Sequence, residues 1–371
     1  MFFGKKKQYF LGIDFGTSLI KAVELVLEDG KPKLSNFGQV NLTKLEKGEL
    51  SEGNTYDDEV VLYLRALLAS FHPKSTSAYV AMPAFIGLIS MVELPEMNED
   101  ELKEAVKFEA HKYVPSPLED VALSWEVAGV HEDGQGQKRM EILLVAALKK
   151  EVERYQKYIS GVNLRMEFLE LETFSLARSI IGQEEGAYLL IDIGSRATNL
   201  VLVENGIVKM SRNLDVGGKD VTRTLHEGLE VTLERAETLK KSTQDFLMTP
   251  ESKIMFPSLD MVSSEAMRML QSFQEKYPEV TCRGVVLSGG TAQMTGLVPY
   301  YTQVFGLPVS IGDPWKRISY DTSVAPEVKK LGTSFSVALG LALSGIDAID
   351  ETKKTATQKP FSLKELLTKD L

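Results

Sequence analysis

Apolar and polar residues alternate through "YFLGIDFG", "SLIKAVELVL" and "KPKLSNFGQVNL". That period predicts three antiparallel strands, with turns at Gly16–Thr17 and Asp29–Gly30. In "DDEVVLYLRALLASF" the period lengthens. Val60, Val61, Leu64, Leu67, Leu68 and Phe71 fall on one face of a predicted helix, with Asp57 as its N-cap. "SAYVAMP" then reads as a short buried strand stopped by Pro83. The result is a β-β-β-α-β unit.

From about Phe85 to Glu167 the character changes. "LISMVEL" predicts a strand, and "NEDELKEAVKFEAHKYV" a helix opened by Asn98 with Glu101 three residues on, a capping-box pattern. "VALSWEVAGV" and "RMEILLVAAL" predict strands joined by the polar turn "HEDGQGQK". "KKEVERYQKYISG" predicts a helix ending at Gly161. These make a β-α-β-β-α insert. "MEFLELETFSLARSII" brings the chain back through a strand into a helix, and Glu170 shares a face with Glu172 if that strand continues. Three strands recur in "YLLIDIGSRATNLVLVENGIVKMSRNL", with turns at Gly194–Ser195 and Asn205–Gly206. Helices are expected over roughly 219–275, a strand in "CRGVVLSGG", and helices in "PYYTQVFG" and "FSVALGLALSG". The segment 351–371 loses hydrophobic density and reads as a linker with a short amphipathic tail.

Composition narrows the function classes. The chain has 371 residues, enough for two or three domains. Its formal charge of −10 argues against a surface built to grip nucleic acid. Cys282 is the single cysteine and the four histidines are scattered, so neither an internal disulfide nor a zinc ligand set is expected. No apolar run reaches the roughly 20 residues needed to cross a bilayer. "MFFGKKKQ" lacks the order of a signal peptide. Phe2, Phe3 and Lys5 to Lys7 could touch a membrane surface, or form a solubilising terminus.

The two hairpins align residue by residue. Asp14 matches Asp192, Gly16 matches Gly194, and Thr17 matches Ser195. One acid at one turn is ordinary. Two copies in the same order, each opening its own three-stranded sheet, point to two similarly folded lobes. Phosphate needs concave backbone amides, hydroxyls and a glycine for close approach. Magnesium is held by one or two carboxylates together with phosphate oxygens. Two such turns are expected to hold a Mg–triphosphate.

With these motifs the chain resembles the actin/Hsp70/sugar-kinase ATPase superfamily over about residues 8–348. "GIDFGTS" and "LIDIGSRAT" are similar to its phosphate loops, "GVVLSGGTAQMTGL" to its adenosine loop, and "ALGLAL" to its second connecting helix. "FGKKKQYFLGIDFGTSLIKAVEL", "LELETFSLARSI" and the second hairpin resemble the PilM family of actin-like proteins of type IV pilus assembly. The insert lies where the related FtsA carries its subdomain 1C.

The resemblance implies an α/β, actin-like (ribonuclease H-like) duplicated two-lobe ATPase fold with an FtsA-type 1C insert. Its parts are expected at 8–84 (1A), 85–165 (1C), 166–186 (return to 1A), 187–225 (2A), 226–282 (helical 2B), 283–350 (return to 2A and connecting helix) and 351–371. It implies ATP or ADP with Mg2+ as ligand. Asp14 and Asp192 would hold the metal, with Gly16, Thr17, Ser18, Gly194 and Ser195 on the phosphates. Lys21 would neutralise a phosphate oxygen, whereas strand alternation alone also allows an outward lysine. Arg196 could reach the nucleotide or simply be solvated. Gly217 and Gly218 in "VGGKDVT" occupy the expected place after the second hairpin. Glu237 and Lys240 would reach the adenosine, a bare i,i+3 ion pair being the competing reading. Gly289 and Gly290 would let the nucleotide approach backbone, or form a plain strand-to-loop turn. Glu172 matches the position of a catalytic glutamate in some relatives. Here Thr173 and Phe174 follow it, instead of the Pro and small residues usual there, so slow ATP hydrolysis at most is expected.

The implied function is a cytoplasmic scaffold at the inner face of the bacterial inner membrane. It would bind the N-terminal cytoplasmic segment of PilN, as an extended peptide with apolar anchors in a groove near the insert, in a nucleotide-sensitive way. Links to the pilus motor ATPases and self-association stay open, with membrane contact indirect or peripheral. The alternatives are a filament-forming or membrane-tethered FtsA/MreB-like cytoskeletal ATPase and a sugar-type kinase. The kinase would need an aspartate base and a polar sugar pocket, and neither forms a recognisable motif.

Overall fold

The computed structural model describes residues 7–114, 116–132, 134–249 and 254–351. Phe2, Phe3, Lys5, Lys6 and the tail 352–371, read above from sequence, lie outside them. The chain divides into two units. One takes the residues up to Ser175, Arg317–Asp321 and those from Val337 on, and the other takes Leu176–Lys316 and Thr322–Ser336.

The first unit opens with β1 (Gln8–Phe15), β2 (Leu19–Glu28) and β3 (Lys31–Asn41). The β2–β3 turn places Asp29 and Gly30 at positive φ, 52° and 76°, as a two-residue hairpin of right-handed twist requires. A short helix α1 (Thr43–Glu46) precedes α2 (Tyr56–Phe71), and β4 (Ser77–Met82) follows. Helix α2 starts two residues earlier than an Asp57 cap implies, so Thr55 and not Asp57 is its N-cap. The Asp58 amide donates to the Thr55 hydroxyl and the Asp58 carboxylate accepts the Thr55 amide. Asp57 is thereby freed to pair with Arg154 and Tyr158.

The insert comprises β5 (Gly87–Pro95), α3 (Glu99–Ala110), β6 (Val121–Glu132), β7 (Lys138–Leu148) and α4 (Lys149–Ser160). Asn98 and Glu101 form the expected capping box on α3. The three strands make their own sheet in the order β5-β7-β6. Val92, Leu102, Val106, Leu123, Ile142 and Leu144 form its core with α3. Then β8 (Arg165–Leu171) completes the first sheet and α5 (Glu172–Ile180) begins at once. The strand therefore does not carry Glu170 and Glu172 on one face. Glu170 is fully buried and accepts the Ser175 hydroxyl at 2.5 Å.

The second unit repeats the plan with β9 (Ala187–Ile193), β10 (Thr198–Glu204) and β11 (Ile207–Leu214), and Asn205 and Gly206 again have positive φ. Helices α6 (Gly218–Leu229), α7 (Leu233–Lys240) and α8 (Pro257–Lys276) come next, the last with proline at its first turn. Strand β12 (Cys282–Ser288), helix α9 (Leu297–Phe305), strand β13 (Val309–Ile311) and helices α10 (Ala325–Leu331) and α11 (Ser336–Glu351) follow among the described residues. The two large sheets have the same topology, β3-β2-β1-β4-β8 and β11-β10-β9-β12-β13.

The helical stretch Thr322–Ile349 is long and apolar enough to cross a membrane by length and composition, with mean hydropathy 1.4. No single apolar run in the sequence suggests this, because three short helical pieces, Thr322–Val324, Ala325–Leu331 and Gly332–Phe335, join α11 to make the length. Most of its apolar window, 72%, is buried inside the protein, so it is a core helix. Ala338, Leu339, Leu341 and Ala342 pack in the first unit. The reason β1 can lie against them is Gly12, where a Cβ would sit 2.1 Å from the Ala338 carbonyl oxygen and 2.8 Å from the Ala342 nitrogen. Backbone cannot move aside as a flexible side chain can. Gly12→Ala should therefore lower stability by about 1–3 kcal/mol in urea titration. A change within about 0.5 kcal/mol, the scale of a neutral surface substitution, would mean that β1 and α11 do not approach so closely.

Candidate functional site

Each unit carries one hairpin of the repeated pattern. In the first, β1 and β2 pair so that Asp14 lies opposite Lys21, and β4 places Ala81 beside Asp14 on the other side. The register decides what alternation left open. Lys21 faces the acid, its Nζ 3.6 Å from Asp14 Oδ2. Asp14 is 4% exposed. Burial raises its carboxyl above the ordinary range, and the Lys21 ammonium opposes that shift. Gly16 cannot be replaced without crowding, since a Cβ there would lie 2.9 Å from the Leu19 carbonyl. Thr17 and Ser18 are half-buried at the turn, and the Ser18 carbonyl accepts the Leu42 amide just past β3.

Glu172 opens α5, and its Oε1 accepts the Ala84 amide at 2.9 Å, just where the chain leaves β4 for the insert. The carboxylate thus fastens the root of the insert to the start of α5. Next to it, the Thr173 hydroxyl is buried without a hydrogen-bond partner among the described residues.

In the second unit the same register puts Asp192 opposite Asn199, with Ser288 of β12 alongside. Asn199 thus stands where the first hairpin has Lys21, and it accepts a hydrogen bond from Asn213 at 2.6 Å. Of the two hairpins, only the first supplies a cation at this position. The turn is closed by the Gly194 amide donating to the Ala197 carbonyl. Arg196 is exposed at its tip.

Gly217 and Gly218 are packed directly onto that turn. The amides of Gly218 and Lys219 donate to the carbonyls of Gly194 and Ser195, and the Gly217 amide donates to Asp220 Oδ2. A Cβ on Gly217 would lie 2.8 Å from both those carbonyl oxygens. Both glycine amides are therefore occupied, and the pair's direct contribution is close backbone packing. Lys240 fixes the same corner from α7. Its ammonium donates to the Gly218 carbonyl at 3.0 Å, to Thr222 Oγ1 at 2.9 Å and to Glu237 Oε2 at 2.7 Å, which uses all three protons.

Desolvation lowers the Lys240 ammonium against the pull of Glu237. Burial would raise the Glu237 carboxyl, but hydrogen bonds from Lys240, Lys241 and Thr222 outweigh it and hold it at about 2. Glu237 and Lys240 are thus the i,i+3 pair anticipated, extended into a network by Thr222 and Gly218. Thr222 and Asp220 were not singled out from sequence. Asp220, three residues after Gly217 at a helix start, carries a capping signal that could have found it.

Gly289 ends β12 at φ +85°, and a Cβ there would collide with the Ile193 carbonyl at 2.4 Å. Thr333 donates to the Gly289 carbonyl at 2.9 Å. At Gly290, by contrast, an added Cβ would meet nothing within 4 Å. There is room for a ligand against its backbone.

The donors of each hairpin, taken by itself, fit a phosphate group with its magnesium ion. Each hairpin offers one carboxylate, a glycine turn and a hydroxyl, the combination that phosphate and a hard cation require. A buried acid such as Asp14, raised by desolvation, is also a group whose charged form gains from a divalent cation. Among the described residues no cluster of three or more His, Cys, Asp or Glu is positioned to hold a metal ion by itself, so phosphate oxygens would have to complete the coordination.

Comparison with known proteins places these features. The family described as "Type IV pilus assembly protein PilM" matches residues 12–346. The cell division protein FtsA of Neisseria meningitidis is 21% identical, across 91% of this chain and 90% of its own length, and FtsA of Pseudomonas aeruginosa is also 21% identical, across 91% and 89%. Among solved structures, the "PilM-PilN type IV pilus biogenesis complex" superposes with a TM-score of 0.75 at 24% identity, covering 91% of this chain and 98% of that one. The ethanolamine utilization protein EutJ of Carboxydothermus hydrogenoformans gives 0.50 at 17% identity, covering 91% and 89%. The fold is actin-like, as the resemblance in the phosphate loops implied.

The Glu237 network has a pH signature. Its folded value of about 2 lies below the ordinary 4.5, so the stability it adds is fully present above about pH 4.5 and is lost as pH falls through 2. Glu237→Gln should therefore lower the urea midpoint most above pH 4.5, with the gap to wild type closing towards pH 2. A gap that stays constant over that range would show that Glu237 is not held as an ion.

Proposed function

Because the chain belongs to the PilM family of type IV pilus assembly proteins, we propose that it is an ATP-binding scaffold of the inner-membrane assembly platform that takes the N-terminal cytoplasmic segment of PilN in a nucleotide-sensitive way. The observation that carries the nucleotide half is the repeated hairpin, with Asp14 and Asp192 in equivalent registers against Lys21 and Asn199. When bound, Mg–ATP would supply a compact anion and cation whose affinity depends on how the two turns are held.

The roles follow from the chemistry of each side chain. Asp14 and Asp192 take the metal, through water where it keeps its own shell. Gly16, Thr17, Ser18, Gly194 and Ser195 take phosphate oxygens. Lys21, whose Nζ lies 3.6 Å from Asp14 Oδ2, would neutralise a phosphate oxygen. Gly289 and Gly290 would let the nucleoside approach the backbone. Gly217, Gly218, Glu237 and Lys240 hold the second turn in place. Glu172 is the residue best placed in sequence to orient water, yet its carboxylate is engaged with the Ala84 amide. That engagement favours a protein that senses nucleotide over one that cuts it quickly.

The partner half of the reading rests on the family and on the solved complex of PilM with PilN, which this chain matches in fold. Such a role places the protein in the cytoplasm, against the inner membrane. In isothermal titration, Mg–ATP should bind the wild-type protein, and Asp14→Ala with Asp192→Ala should weaken binding at least tenfold, about 1.4 kcal/mol. Undiminished binding by the double variant would remove these turns from the site. A synthetic N-terminal PilN peptide should bind with an affinity that changes on adding Mg–ATP. ATP-dependent sedimentation without peptide binding would favour a filament instead.

A further inference from the structure

We propose that helix α4 of the insert holds the first phosphate turn in shape through Phe15, which makes Tyr155 and Tyr158 positioning residues for phosphate binding. The proposal deepens the nucleotide reading above and rests on it.

Phe15 is the residue between Asp14 and Gly16, so its side chain leaves the strand on the face opposite the acid. It is buried. Its ring meets Tyr155 edge-on, with centroids 5.3 Å apart and planes at 84°, and meets Tyr158 at 5.5 Å. The two tyrosines also touch each other at 5.5 Å. All three rings are therefore in mutual contact, and such edge contacts are directional in a way aliphatic packing is not.

The tyrosine pair is itself anchored. Tyr158 donates its hydroxyl to Asp57 Oδ1 at 2.5 Å, on helix α2. Arg154, one helical turn before Tyr158, grips the same carboxylate oxygen at 2.6 and 2.8 Å and reaches Glu151 at 3.3 Å. Burial pushes the Tyr155 phenol well above its ordinary value, and Glu151 and Glu172 push the same way. The Tyr155 ring thus lies under the influence of both α4 and the acid that opens α5. A chain of contacts runs from α2 through α4 to the residue that precedes Gly16.

The second hairpin provides an internal control. Its residue equivalent to Phe15 is Ile193, which is buried among aliphatic and aromatic core residues of its own unit. That unit folds an equivalent turn with an aliphatic side chain there. Filling the core therefore does not require a ring at this position. Among the differences between the two hairpins, Phe15 in place of Ile193 and Lys21 in place of Asn199 belong to the one whose unit carries the insert. A shift of α4 would move Phe15 and with it the adjoining Gly16–Ser18 backbone. By reciprocity, phosphate bound at that turn would steady α4.

The test uses the full chain. Tyr155→Leu should weaken Mg–ATP about tenfold, the scale of losing one such aromatic contact pair, while adenosine, which has no phosphate, should change less than about twofold. Tyr158→Phe keeps the ring and removes only the Asp57 bond, so its effect should be smaller and in the same direction. In the wild type, Mg–ATP should slow amide exchange across Lys149–Ser160, and Tyr155→Leu should abolish that response. Equal losses for ATP and adenosine would mark Tyr155 as merely structural and overturn the proposal. So would unchanged exchange in α4 of the wild type, which decides the matter even if the leucine variant fails to fold. If the wild type binds no magnesium nucleotide at all, the nucleotide reading itself fails and takes this inference with it.

Discussion

A carboxylate withdrawn from water at the end of a β-strand costs several kcal/mol unless something answers its charge. In the first unit the answer is one residue, Lys21, held 3.6 Å away by the antiparallel register of β1 and β2. That register is overdetermined. The Asp29–Gly30 turn fixes the partner hairpin, and a slip of one residue would turn Ile13 and Leu11 out of the core. Gly12 then locks β1 from behind, since only a residue without Cβ fits under Ala338. The placement of one ion pair thus depends on the sheet, and the sheet leaves no other place for the acid.

The second unit shows how much of this frame is general. It has the same strand order, a positive-φ Asn–Gly turn where the first has Asp–Gly, and an acid in the same register. Yet it has no lysine opposite that acid, and its corner is fixed from outside by Lys240, whose three protons are shared among Gly218, Thr222 and Glu237. One turn is steadied by a charge facing its own acid. The other is steadied by a buried ammonium that grips its backbone. Two copies of one fold have reached the same end by different electrostatics.

What the sequence made legible follows from the range of each signal. Strand alternation, the helical faces and the Asn98–Glu101 capping box are local, and they appear in the fold as read. The duplicated hairpins were legible because Asp14, Gly16 and Thr17 recur in the same order and spacing as Asp192, Gly194 and Ser195. Thr55 was missed as a cap because Asp57 is an equally good capping type. Only the long-range contacts with Arg154 and Tyr158 reveal that Asp57 is engaged elsewhere. Glu170 and Glu172 looked like a pair because nothing local marks the strand's end at Leu171. The burial of one against Ser175 and the bond of the other to Ala84 are tertiary facts. Lys21 was ambiguous for the same reason, since alternation gives two faces and only the partner strand says which is which.

Glu172 brings these threads together. Its carboxylate accepts an amide at the point where the insert departs, and its charge is felt by Tyr155 on the insert's last helix. A residue tuned only to activate water would be expected to keep its oxygens free for that water. Here the acid is built into the joint between the first sheet and the insert, alongside Phe15 and the tyrosine pair. In a family whose work is assembly, such a joint is where the state of a phosphate turn would have to be transmitted.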